Sequence, residues 1–277
     1  MYAHRGGAAL RPENTLAAFE HGIACGADGL EFDVHLSRDG VVVVHHDDTL
    51  ERTTGAAGRL SDRTADELRR LDAGFTFRPG GTGGAQSYPY RGAGLGVPTL
   101  REVLRRHPAA LCIIEMKAND PELARRTIDE LRLADALGRV ALGSFHWRVL
   151  RAARAYEPRV ATGASPEETR WALYRSWVRL PLGGSRYREF QVPERLGRTT
   201  IVTPRFIDHA HRAGIPVKVW TVNEEPDMRR LLGWGADAII SDRPDLAVRV
   251  RADAGRKGSD RGQTGVRPGS DQGQTKA

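Results

Sequence analysis

Short apolar strand patterns alternate with helical patterns along nearly the whole chain, and this alternation restricts the fold more than any other feature. Residues 28–36 and 41–45 read as strands, and residues 65–71 and 100–107 as helices. Residues 110–116 form the apolar run of a buried strand, followed by a helical pattern over 121–133. Further strands are expected at 140–144, 160–163, 216–222 and 238–241, with helices bearing basic, polar faces between them. Strand–helix alternation sustained over about 250 residues predicts an α/β fold, and a closed (β/α)8 TIM barrel in preference to an open sheet.

With 277 residues, 40% of them hydrophobic, the chain can bury a core large enough to need no disulfide scaffold. Its only cysteines, Cys25 and Cys112, sit among apolar neighbours and read as packed, reduced thiols. Two cysteines exclude a zinc site built from cysteine. No apolar run reaches the length of a membrane span, and the chain opens with His4-Arg5-Gly6-Gly7, unlike a signal peptide, so a cytoplasmic location is expected. The first strand is short, with three residues before His4: either the barrel lacks most of this strand or the true start lies upstream.

The net charge of +7 does not imply nucleic acid. Only Lys117, Lys218, Lys257 and Lys276 are lysine, and the scattered arginines form no basic stripe interleaved with aromatics. Residues 252–277 lack aromatics and contain two copies of a Gly-Ser-Asp-x-Gly-Gln-Thr sequence, beginning at Gly258 and Gly269. Such a segment buries too little to order itself, so residues 1–251 are expected as the barrel and 252–277 as a disordered tail. The glycine run from Gly92 to Gly96 follows no strand and opens no helix, which rules against dinucleotide binding; residues 80–96 read as a long loop.

Charged residues inside apolar strands point to chemistry. Glu31 and Asp33 alternate with Leu30, Phe32 and Val34, which puts both carboxylates on one strand face. Glu115 and Lys117 repeat the device after Ile113 and Ile114. Three inward carboxylates at strand ends fit a hard, oxygen-liking cation such as Mg²⁺ or Ca²⁺. The alternative pairs Glu115 with an arginine and Glu31 with Lys117. His4 and His46 lie at the ends of two apolar strand patterns, at the carboxyl face where barrel enzymes carry their sites. A cation, an acid and a base are the parts that phosphate-ester hydrolysis requires.

Taken in order, Ala3-His4-Arg5-Gly6, Pro12-Glu13-Asn14-Thr15, Gly29-Leu30-Glu31-Phe32-Asp33-Val34, His46-Asp47-Asp48-Thr49 and Glu115-Met116-Lys117 resemble the glycerophosphodiester phosphodiesterase family. Val219-Trp220-Thr221-Val222-Asn223 and Ile240-Ser241-Asp242-Arg243-Pro244 continue the resemblance, which spans residues 3 to 247. It implies a (β/α)8 barrel that binds one divalent cation, Mg²⁺ or Ca²⁺, and splits a glycerophosphodiester into glycerol 3-phosphate and an alcohol. It implies Glu31, Asp33 and Glu115 as metal ligands and His4 and His46 as the acid–base pair. Arg5 and Lys117 would hold phosphate oxygens. Trp220, at a strand end, is a candidate wall for the glycerol or headgroup, as is Phe145.

Other residues stand outside this set. His209-Ala210-His211 falls in a helical pattern, where residues two apart do not share a face, and reads as surface. His35 and His45 have no counterpart in the family pattern. Residues 166–182 interleave Trp171, Tyr174 and Trp177 with Arg170, Arg175 and Arg179. This segment either touches a membrane surface or packs an apolar face on the barrel. Two alternative functions follow: lysophospholipase D-type cleavage of lysophospholipids at a membrane surface, and a non-catalytic barrel that binds phosphodiesters.

Overall fold

A computed structural model describes residues 1–79 and 87–263, with side chains as far as residue 254. Its strands are β1 (Tyr2–His4), β2 (Gly29–Leu36), β3 (Val42–Val44), β4 (Leu111–Met116), β5 (Val140–Gly143) and β6 (Ala161–Thr162). They continue as β7 (Phe190–Pro193), β8 (Arg195–Leu196), β9 (Thr199–Thr200), β10 (Val217–Trp220) and β11 (Ala238–Ser241). Parallel neighbours run in the order β6-β5-β4-β2-β1-β11-β10-β7. The two ends of that row meet: a parallel bridge joins Gly163 to Glu189, the Arg188 N–H donates to the Thr162 carbonyl at 2.8 Å, and the Ala164 N–H donates to the Glu189 carbonyl at 3.0 Å. The expected (β/α)8 barrel is therefore what the chain forms.

Side-chain alternation builds the barrel in layers. Leu30, Phe32 and Val34 of β2 point outward into a core shared with the surrounding helices, where Phe19, Leu104, Ile114 and Leu142 join them. A second outer core on the other side gathers Phe190, Val192, Val217, Val219 and Ile239 with Phe206 and Met228. Inside the barrel, Tyr2, Ile113, Ala238 and Ile240 pack together, with the Lys218 ammonium 2.7 Å from Glu189. Glu31 and Asp33 alternate with these residues on β2, so the same alternation that buries Leu30 and Phe32 outward turns both carboxylates toward the barrel axis.

Most expected elements are present with trimmed ends, including the helix Pro121–Leu133 and the strand Ala238–Ser241. Tyr2–His4 pairs on both sides, with β2 and β11, so the short first strand closes its place in the barrel. Residues 41–45 do form a strand, but β3 runs antiparallel to β2 and lies outside the barrel row. It belongs to an excursion between β2 and β4 with its own small core of Val43, Leu50, Leu60, Leu68 and Val97. The strand that closes the barrel, Phe190–Pro193, was not anticipated; its signal was the spacing of Phe190 and Val192, which are both buried.

The helix over the segment 166–182 ends early, at Trp177, with Ser165 capping its start. Of the loop expected at 80–96, residues 80–86 lie outside the described residues. The last helix runs Pro244–Gln263, and residues 264–277 of the expected tail also lie outside them. Both cysteine thiols are free. Among the described residues no helix is long and apolar enough to cross a membrane.

Gly29 shows how tightly the barrel is drawn at its first pair of strands. A Cβ there would lie 2.5 Å from the Leu111 carbonyl oxygen and 2.6 Å from Tyr2 Cε1. Gly29→Ala is expected to destabilise the fold by roughly 1–3 kcal/mol. A lower urea midpoint at unchanged slope would show this, and an unchanged midpoint would mean that the strands can part at no cost.

Candidate active site

Strand register brings the charged residues together. His4 stands beside Glu31 across β1 and β2, Asp33 beside Glu115 across β2 and β4, and Glu115 beside Gly143 across β4 and β5. His4 and Gly143 end their strands, Glu115 stands one residue from the end of β4, and Glu31 and Asp33 lie within β2; all line one cavity of about 410 Å³, together with Arg5, His46, Lys117 and Trp220. The eight residues expected to form the site, His4, Arg5, Glu31, Asp33, His46, Glu115, Lys117 and Trp220, thus line the same pocket.

Asp33, 1% exposed, is the most heavily partnered carboxylate. Lys117 Nζ lies 2.9 Å from Oδ1, while Oδ2 accepts from Asn14 Nδ2 at 2.9 Å and faces Arg5 Nε at 3.3 Å. Enclosure would raise its pKa, but Lys117 and Arg5 outweigh it and hold the group below the usual carboxylate range. Lys117 thus pairs with Asp33, and not with Glu31 as one reading of the sequence had it. Nor does an arginine hold Glu115: its Oε1 accepts from the Phe145 N–H at 3.1 Å. Enclosure and the charges of Asp33 and Glu31 push Glu115 up to about 8. Enclosure and Asp33 likewise push Glu31 up to about 7.

The two histidines are oriented alike. His4 Nδ1 is 2.6 Å from Asp242 Oδ1, and its Nε2 lies 3.7 Å from Glu31. Asp242 is itself held by Asn223, whose Nδ2 donates to Oδ2 at 2.8 Å. His46 Nδ1 is 2.5 Å from Asp47 Oδ1. Asp47 accepts from Arg52 at 2.5 Å, Arg52 donates to Glu13 at 2.7 Å, and Glu13 accepts from Arg5 at 2.9 Å, so a chain of ion pairs ties His46 to Arg5. Enclosure works against a charged His4, but Glu31 and Asp242 outweigh it and raise its pKa above the ordinary histidine value. At His46 enclosure prevails and lowers it.

Arg5 and Asn14 both adopt left-handed backbone, with φ of 49° and 57°. Non-glycine residues take this conformation at a cost, and such positions cluster at functional sites. Here it turns the chain so that the Arg5 N–H faces Glu31 at 3.3 Å while the Asn14 N–H donates to the Arg5 carbonyl at 3.0 Å. Trp220 meets Phe145 edge to face, with centroids 5.9 Å apart, and the pair forms an apolar wall of the pocket.

Sequence reasoning missed the residues that orient the others: Asn14, Asp242, Asn223 and Asp47. Asn14, Asp47, Asp242 and Asn223 fall inside the quoted motifs, and their position there was the available signal. His35 and His45 are buried, and each faces a backbone carbonyl through Nε2 at 3.1 Å, of His46 and Thr49 respectively. His209 and His211 lie on their outer helix, with His211 2.8 Å from Asp237, away from the pocket.

The donor set fits a hard cation in kind. It is all carboxylate oxygen, and burial raises the pKa of Glu31 and Glu115 despite the opposing charge of Lys117. Gly143 keeps the floor open: a Cβ there would lie 2.4 Å from Glu115 Oε2 and 2.6 Å from Gln191 Oε1. Among the described residues, no three His, Cys, Asp or Glu side chains are yet gathered as a closed ligand group, and both Asp33 oxygens are engaged by Lys117, Arg5 and Asn14.

The model of the glycerophosphoryl diester phosphodiesterase family matches residues 4–246. A glycerophosphodiester phosphodiesterase of Caldanaerobacter subterraneus is 30% identical over 90% of this chain and 96% of its own length. A lysophospholipase D of Homo sapiens is 25% identical, covering 87% of this chain and 82% of its own. An Oleispira antarctica phosphodiesterase solved in complex with the product sn-glycerol-3-phosphate superposes with a TM-score of 0.71 at 25% identity, over 91% of this chain and 96% of that one.

The raised carboxyls have a measurable consequence. The folded protein keeps protons on Glu31 and Glu115 that the unfolded chain has already released, so in chelator both groups subtract stability as pH rises from about 4.5 to about 8. Glu115→Gln cannot ionise and should gain stability relative to wild type across that interval. Melting temperatures of the two proteins compared over the same pH range test this, and a constant difference would contradict it.

Proposed function

The chain belongs to the glycerophosphoryl diester phosphodiesterase family, and from that premise we propose that it hydrolyses glycerophosphodiesters to glycerol 3-phosphate and an alcohol. The observation that carries the reading is the pair of carboxylate-oriented imidazoles, His4 and His46, lining one pocket with three carboxylates, Arg5 and Lys117. The relative that holds sn-glycerol-3-phosphate supports it.

Each histidine has one ring nitrogen occupied by a carboxylate, so its Nε2 is the atom available to a bound diester. One imidazole accepts the proton of the attacking hydroxyl: water gives glycerol 3-phosphate directly, whereas a neighbouring glycerol oxygen gives a cyclic phosphate that a water then opens to glycerol 3-phosphate. The other donates a proton to the departing alkoxide oxygen as the phosphorus–oxygen bond breaks. Asp242 and Asp47 fix the rings and stabilise whichever imidazole is charged. Arg5 and Lys117 are positioned against non-bridging phosphate oxygens, the first as a planar fork and the second as a point charge. Trp220 packs against the glycerol or headgroup. Glu31, Asp33 and Glu115 would hold one divalent cation, Mg²⁺ or Ca²⁺. Such a cation supplies charge stabilisation to the phosphoryl group.

The barrel, residues 1–251, is the catalytic unit in this reading. A cytoplasmic location agrees with two free thiols, which suit a reducing compartment.

Glycerol 3-phosphate release from a panel of water-soluble glycerophosphodiesters, with chelator and with added Mg²⁺ or Ca²⁺, tests the reading. Cation-dependent release is expected, abolished by His46→Ala. Asp242→Asn should lower kcat by on the order of 10²-fold or more at nearly unchanged KM. No release by folded, cation-supplied protein would overturn the proposal.

A further inference from the structure

The barrel interior fixes one neutral side chain of the pocket from below. Gln191, on β7, stands one inward position above Glu189 and beside Lys218 of β10. Glu189 is buried, and its Oε2 lies 2.7 Å from Lys218 Nζ, which also donates to the Tyr2 hydroxyl at 3.3 Å. An ionised carboxylate offers only acceptors, so it decides which end of the amide it meets. Gln191 Nε2 donates to Glu189 Oε1 at 2.7 Å. The amide oxygen is thereby turned the other way, in the pocket that His4, His46 and Glu115 line.

Two glycines leave room for it. A Cβ at Gly143 would lie 2.6 Å from Gln191 Oε1, and a Cβ at Gly163 would lie 3.0 Å from its Cδ. The same point beside Gly143 is 2.4 Å from Glu115 Oε2. Two oxygens thus flank one point, and with Glu115 ionised as a cation ligand neither can donate. Whatever hydrogen-bonds Gln191 Oε1 there has to bring the hydrogen.

Position in the ring says which part of a substrate arrives. The eight strands of the barrel row close on themselves, which puts β7 opposite β2. Glu31 and Asp33 belong to β2, and Arg5 and Lys117 follow β1 and β4, the strands on its two sides. A cation and a phosphate held on that wall leave Gln191 for the end of a substituent farthest from phosphorus. Tyr174 and Trp177 line the same pocket and stay exposed, which marks the side where an alcohol of any size can project. Gln191 lies on the enclosed side, which only the small glycerol arm has to reach.

We propose that Gln191 Oε1 accepts a hydrogen bond from the terminal hydroxyl of the glycerol arm, and is the residue by which this pocket selects glycerol over an alcohol lacking that hydroxyl. The inference rests on the proposed hydrolytic reading and assigns its specificity.

The test compares two diesters of the same leaving alcohol, one of glycerol and one of propane-1,2-diol, which lacks only the terminal hydroxyl. Release of the alcohol gives kcat/KM for both. The glycerol diester should lead by on the order of 10-fold to 10²-fold, the cost of leaving an enclosed acceptor unmet. Gln191→Met keeps the bulk and removes the acceptor. It should lower kcat/KM for the glycerol diester by that factor, leave the propanediol diester nearly unchanged and bring the ratio close to one. Equal rates for the two diesters in wild type, a comparison that needs no variant, would overturn the proposal and leave hydrolysis standing. A variant that keeps the wild-type ratio would overturn it too. A variant that loses the rise in melting temperature on adding Mg²⁺ or Ca²⁺ would assign the amide to the cation, with the same consequence. Calorimetric titration with glycerol 3-phosphate and with propane-1,2-diol 1-phosphate reads the subsite without turnover. In a protein that cleaves neither diester, a preference for glycerol 3-phosphate that Gln191→Met abolishes would keep the subsite and remove the hydrolytic reading. Equal binding of the two by wild type would overturn the subsite.

Discussion

Three carboxylates crowded at one end of a barrel are the constraint around which the rest of the site is built. Asp33 and Glu115 stand side by side across neighbouring strands, and Glu31 precedes Asp33 on the same strand face. Like charges at this distance from water repel, and burial magnifies the repulsion. Lys117, Arg5 and Asn14 satisfy Asp33, which leaves Glu31 and Glu115 holding protons well above the ordinary carboxylate range. A core selected for stability alone would carry aliphatic side chains at these positions. The outer layers, with Leu30, Phe32 and Ile114 fully buried, provide the cohesion that allows such a site to persist.

The surrounding polar groups limit the freedom of the two imidazoles. His4 is tied to Asp242 and Asn223, and His46 to Asp47, Arg52 and Glu13, so neither imidazole can turn its ring without breaking a charged contact. Left-handed backbone at Arg5 and Asn14 folds the first loop over Glu31 and Asp33. Preorganisation of this kind puts the cost of orientation into folding instead of into each catalytic cycle.

Much of this was legible in the sequence because it is local. Period-two alternation placed Glu31 and Asp33 on the inner face, and strand–helix alternation named the barrel. What escaped was set by distance along the chain. His4 and Asp242 are 238 residues apart and meet only because β1 and β11 are neighbours in the closed barrel. β3 read correctly as a strand, but no pattern within residues 41–45 records that it pairs antiparallel outside the barrel. The strand Phe190–Pro193 has only two buried apolar side chains to announce it. For the segment 166–182, composition left membrane contact and packing on the barrel both open; the helix packs through Thr169, Ala172, Leu173 and Ser176, and Trp171, Tyr174 and Trp177 remain exposed.

In the proposed reading the carboxylate cluster holds a divalent cation. The melting temperature of chelator-treated protein, followed as Mg²⁺ or Ca²⁺ is added at neutral pH, tests it most directly, because a ligand of the folded state alone must stabilise that state. The account predicts a saturable rise in wild type that is absent from Glu115→Gln. An unchanged melting temperature in wild type, or an equal rise in the variant, would contradict it.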